Sequence, residues 1–136
     1  FIVVGGQMLN PEARWETFAT FPEERTELLD ALRTNDIPGV MFLTGDVHYT
    51  VLTRMPRDGT YPLYDLTVSP LTAGPTETDE ATNHNYLLVP GTLYADHNFA
   101  TLDFSGPRED RVMKITVRSA DGDVVWTREI RASELR

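Results

Sequence analysis

The stretch VMFLTGDVHYTVL, residues 40–52, runs apolar, breaks at Thr44-Gly45, offers Asp46 and His48 one residue apart, and turns apolar again. Its first half is apolar throughout, as expected of a strand covered on both faces. Upstream, FPEERTELLDALRTND (residues 21–36) is the clearest helix in the chain. Pro22 suits a first helical turn, and Glu23 and Glu24 complement the positive end of the helix dipole. Leu28, Leu29 and Leu32 fall on one face at helical spacing, and Pro38-Gly39 fits a stop shortly beyond. Further upstream, FIVVGG (residues 1–6) reads as a short buried strand closed by two glycines. Strand, helix and strand in that order predict a β-α-β unit with adjacent parallel strands, and so an α/β front half.

Downstream the pattern changes. TVLTRM, YPLYDLTVS, TLYADHNFATLDFS, RVMKITVRSA and DVVWTREIRA all read as strands, several alternating between apolar and polar residues. RDG and ADGD are hairpin turn signals. These features predict a mostly antiparallel back half. Residues 69–85, SPLTAGPTETDEATNHN, form a Pro-, Gly- and Thr-rich loop. Loops longer than about 12–15 residues are usually functional or mobile. The preceding QMLNPEARWETFAT is a polar and aromatic loop with room for one short helical turn.

The 136 residues suffice for one ordinary domain, and no internal boundary or repeat is visible. The formal net charge of −9 disfavours nucleic-acid binding by bulk electrostatics. There are no cysteines, which excludes disulfides, thiolate catalysis and cysteine-ligated zinc. No apolar run approaches the ~20 residues needed to span a bilayer. With no G-x-S-x-G motif, serine hydrolysis is rejected.

Chemistry is concentrated at Gly45-Asp46-Val47-His48. Ligands of open α/β sheets collect at the carboxyl ends of parallel strands, where Asp46 and His48 fall. In extended backbone, residues two apart point to the same side. On that assumption both side chains reach one site, and a carboxylate oxygen with an imidazole nitrogen suits a hard or borderline metal ion. The plainer alternative is that Asp46 caps a turn and His48 donates to a carbonyl in the interior.

At this point the sequence resembles the PhoD-like alkaline phosphatases and phosphodiesterases, a branch of the calcineurin-like metallophosphoesterases. The resemblance runs in order through FIVVGGQMLNP, WETFATFPEERTELLDAL, FLTGDVHYTVL, YPLYDLTVSPLTAGP, GTLYADHNFATLDF and VVWTREIRASEL. It implies that residues 45–48 are the last metal-binding motif, with Asp for the first His of the related Gly-His-x-His. Asp46 would then bind a calcium-like ion and His48 an iron-like ion. It also implies the C-terminal half of an α/β/β/α sandwich, a phosphate-ester substrate, and a secreted or periplasmic location.

The family's earlier motifs are an Asp at the end of the first strand, a Gly-Asp and an Asn. They are expected upstream of Phe1, which would make residues 1–136 the C-terminal part of one catalytic domain. The missing N-terminal part would come from the same parent chain or a partner, and the chain alone would be inactive. The rival readings are a non-catalytic β-rich binding module and one half of a split enzyme. Gln7, at the end of the first strand, and His97 and Asn98, between later strands, are further candidates for lining the site. Asn83, His84 and Asn85 read as solvated loop, and Trp15 as loop packing.

Overall fold

The computed structural model describes residues 1–15 and 17–136. The front half folds as the sequence predicts: β1 (Ile2–Val3), α1 (Pro22–Thr34) and β2 (Met41–Thr44) form a parallel β-α-β unit. β1 is shorter than FIVVGG because pairing to β2 stops where the chain bends at Gly5-Gly6. The helix has Pro22 at its start and Glu23 and Glu24 in the first turn. Its stop precedes Pro38: Asp36 takes a left-handed φ of 49°, and Ile37 and Asp36 N–H donate to Leu32 and Arg33 carbonyls. That reciprocal pairing caps the helix carbonyls. The loop before the helix contains one 3₁₀ turn, Phe18–Thr20.

β2 then receives β4 (Leu63–Thr67) in parallel, and β3 (Val51–Met55) lies antiparallel on β4's far side. The sheet order is β1-β2-β4-β3. A second sheet of three antiparallel strands follows: β5 (Asn98–Ser105), β6 (Val112–Ser119) and β7 (Val124–Arg131). The ADGD turn joins β6 to β7, with Gly122 at φ 91° supplying the left-handed residue a tight hairpin needs. TLYADHN contributes only an isolated bridge, Thr50 to Tyr94, before β5 begins.

Side-chain alternation sorts the strands into two cores. Met41, Leu52, Tyr64 and Leu66 face Met113, Ile115, Val117, Trp126 and Ile130 of the second sheet. Phe42 and Leu63, on the opposite face, pack with Met8, Leu9 and Leu32. Burying Leu32 anchors the helix to that face, a contribution of about 1.5–3 kcal/mol. The layers are therefore helix, mixed sheet, antiparallel sheet, an α/β fold. β1 is an edge strand, and its Val3 is 77% exposed.

Candidate functional site

The parallel strands β1, β2 and β4 all end at one rim of the sheet, and three loops leave from there. The loop after β1 begins Gly5-Gly6-Gln7, and Gly45 N–H donates to Gly5 O at 3.0 Å, tying the first two loops together. The third is fastened where Val68 N–H donates to Thr44 O at 2.9 Å.

Asp46 and His48 sit on the middle loop, as their position after β2 predicts. The extended backbone assumed for them is corrected by the structure. Val47 N–H donates to Gly45 O, two residues back, and Asp46 has φ 71°. This is a three-residue γ-turn centred on Asp46, a rare and strained form. His48 is also left-handed, at φ 60°. The same-side argument, which needs extended geometry, therefore does not carry over. Val47 between them is buried with Tyr49 and Val51. Asp46 is exposed and His48 half-buried. Two left-handed non-glycine residues flanking a buried valine are a costly conformation, the kind that clusters at ligand clamps.

The His48 ring is oriented from the long loop. Its Nδ1 lies 2.8 Å from Gly74 O. A carbonyl oxygen only accepts, so Nδ1 carries a proton here, and in the neutral ring Nε2 is the nitrogen with the free lone pair. His48 O accepts from Thr76 N–H at 3.0 Å, so residues 74–76 hold the histidine at both ring and backbone.

Behind the rim lies a buried polar network that the sequence reading missed. Asp65, on β4, is 0% exposed. Its Oδ2 accepts from Met8 N–H (2.8 Å) and Leu9 N–H (2.9 Å), and its Oδ1 from the Thr44 hydroxyl (2.6 Å). Thr44 Oγ1 is 2.9 Å from Thr67 Oγ1, which also accepts from Gln7 Nε2 at 3.0 Å. Burial pushes the Asp65 carboxyl above its ordinary range, while Thr44, the Leu9 and Met8 amides and the Arg25 charge pull it back. Arg25 reaches from α1 to donate to Met8 O and Leu9 O. The available signal was Asp65 and Thr67 on the strand face of Leu63, polar residues pointing into an apolar layer.

Gln7 is buried, and its Oε1 accepts from Asn10 Nδ2 at 2.8 Å and from the Tyr49 hydroxyl at 3.4 Å. It borders a cavity of about 290 Å³ whose other walls include Asn10, Arg14, Trp15, Tyr49 and residues 76–78 and 82–85. Burial raises the Tyr49 hydroxyl above the usual tyrosine value. Asn85 is not a solvated loop residue: it is buried, and its Nδ2 donates to Thr53 Oγ1 at 2.7 Å. Asn83 and His84 line the same cavity. Neither Asp46 nor His48 lines it; their neighbours Tyr49 and Thr76 do.

His97 and Asn98 are placed elsewhere. His97 borders a separate cavity with Leu71, Tyr94 and Asp121. Asn98 is buried, accepting from the Thr50 hydroxyl (2.6 Å) and donating to Asp96 O (2.7 Å) and Ser69 O (3.4 Å). Its amide braces the loop after β4 and has no side-chain group directed at the Gln7 cavity.

The layering, with three loops gathered at the ends of the parallel strands, is a mixed α/β architecture. The chain belongs to the PhoD-like phosphatase family, whose model matches residues 6–116. No curated protein and no solved structure matches it. Family membership points to metal-dependent phosphoester hydrolysis.

Proposed function

We propose that residues 1–136 are the C-terminal part of a PhoD-like catalytic domain and contribute Asp46 and His48 to its metal centre, which hydrolyses phosphomonoesters or phosphodiesters. The observation carrying this reading is the His48 ring, with Nδ1–H spent on Gly74 O and Nε2 left as a donor to a metal. Metal-ligating histidines almost always give their other N–H to such a partner. An exposed carboxylate two residues away adds a hard oxygen. A carboxylate suits a hard cation and an imidazole a transition metal, which agrees with the calcium-like ion at Asp46 and the iron-like ion at His48 that the family resemblance implies.

Among the described residues, no group of three or more His, Cys, Asp or Glu comes together. The remaining ligands would come from the N-terminal part of the domain. Bound metals supply Lewis acidity and an activated water for attack at phosphorus. The chain's own part is to hold one ligand on each side of Val47 in fixed, strained backbone. An exported location follows from the same family reading.

Metal analysis of the complete protein tests the assignment. Asp46→Asn keeps a residue tolerant of left-handed backbone but removes the ligand charge, and is expected to weaken calcium binding at least about tenfold. Full metal content in both Asp46→Asn and His48→Ala would sink the assignment.

The β1 edge is where we place the rest of the domain. Val3 is 77% exposed, and Phe1 and Phe104, also exposed, stack edge-on at 6.0 Å beside it. Free edges recruit strands, so the isolated 136-residue chain is expected to self-associate and to hydrolyse neither p-nitrophenyl phosphate nor its bis ester. Sedimentation showing a monomer, or turnover in the ordinary enzymatic range of roughly 1–10³ per second, would contradict this.

A further inference from the structure

The cavity beside His48 has features that metal binding does not use. Trp15 stands at its mouth, 64% exposed, with a left-handed φ of 49°. For a bulky residue that conformation is a genuine outlier. The Arg14 guanidinium lies over the indole, 5.2 Å from the ring centroid. Both residues line the cavity, so an indole and a guanidinium stand together at its wall. Exposed aromatic area, held at a strained position, is a poor solution for packing and a good one for stacking a ligand.

The walls specify the rest. Gln7 and Tyr49 are tied into the interior and act as fixed walls. Among the described residues, the side chains of Thr76, Glu77, Thr78 and His84 make no hydrogen bond to protein, leaving donors and acceptors for a ligand's edge. Charge argues against a second anionic group. Glu12 and Glu77 outweigh Arg14, one positive against two negative charges, in a chain already at −9. A cavity of about 290 Å³ lies at the lower limit for small-molecule pockets and takes a ring system, not a polymer.

We infer that this cavity binds the planar ring of an uncharged, hydrogen-bonding heteroaromatic alcohol, the chemistry of a nucleoside, with Trp15 and Arg14 as its stacking platform. Taken together with the phosphoesterase reading, on which this step rests, it is the subsite for the alcohol part of the ester. Thr76, which donates to His48 O and also lines the cavity, joins the two sites.

Binding of adenosine, which has no phosphate, tests the cavity without the metal centre. Calorimetry on the complete protein, before and after chelation, is expected to show adenosine binding in both states and no binding of ribose. Trp15→Ala should weaken it about tenfold or more, the scale of base–aromatic stacking, while Trp15→Phe keeps most of the affinity. Absent adenosine binding, equal binding of ribose, or an unchanged affinity in Trp15→Ala each overturns the inference. Adenosine binding in a protein that hydrolyses no phosphoester leaves the inference standing and removes the phosphatase reading. Hydrolysis without adenosine binding does the reverse.

Discussion

Replacing His48 by Ala in the complete protein is expected to lower kcat/KM for phosphoester hydrolysis by at least about 100-fold while the fold survives. Residues that merely orient a metal ligand cost 10–100-fold when removed, so losing the ligand itself costs no less. The fold survives because His48 is half-buried and its side-chain bond, among the described residues, goes to a loop carbonyl. A second variant separates the ligand from the backbone. His48→Asn tolerates the φ of 60° that His48 adopts and still carries a donor, but it lacks Nε2. It is expected to be as impaired as His48→Ala, with an unchanged thermal midpoint. Near-wild-type turnover in either variant would remove His48 from the centre. Activity lost together with the thermal midpoint would make it a structural residue.

Much of the layering was legible because it rests on periodicity. The helix face at Leu28, Leu29 and Leu32 and the apolar run before Gly45 place α1 and β2 without reference to anything distant. The antiparallel hairpin at ADGD is equally local. The γ-turn at Asp46 was not legible, because Asp and His carry no glycine signal for left-handed backbone and the flanking runs both read as strand. Asn85 and Asn98 were misplaced for a different reason. Asn85 lies in the long polar loop and Asn98 opens β5, yet each amide is spent on hydroxyls and carbonyls remote in sequence, Thr53 for one, Thr50 and Ser69 for the other. A polar residue buried by a partner dozens of positions away leaves no periodic trace. Asp65 belongs with them, since its donors are the amides of Met8 and Leu9.

Asp65 carries the largest expected effect on stability. Truncation in Asp65→Ala leaves two backbone N–H groups and the Thr44 hydroxyl without their acceptor, inside a layer closed by Leu63 and Phe42. Each buried unsatisfied group costs about 1–3 kcal/mol. Against a total stability of about 5–15 kcal/mol, urea unfolding should show a midpoint lowered by a large fraction. The loop carrying Gln7 should loosen with it. Asp65→Asn should cost less. Its side-chain oxygen can accept from Met8 and Leu9, while its NH₂ donates to Thr44, whose hydroxyl then turns to Thr67.

That isostere also tests the protonation of the site. Burial raises the native carboxyl above its unfolded value of about 3.9, so the native state holds the proton more tightly than the unfolded state. The stabilisation from this group is complete below about pH 3.9 and is lost as pH rises through the raised native value. The amide that Asp65→Asn introduces has no proton to lose. The stability of wild type relative to Asp65→Asn is therefore expected to fall as pH rises through this window, by at most about 1.4 kcal/mol per pH unit, and to level off above it. A wild type that gains on the amide variant as pH rises would mean that the three donors and Arg25 outweigh burial. Asp65 would then be held as a carboxylate.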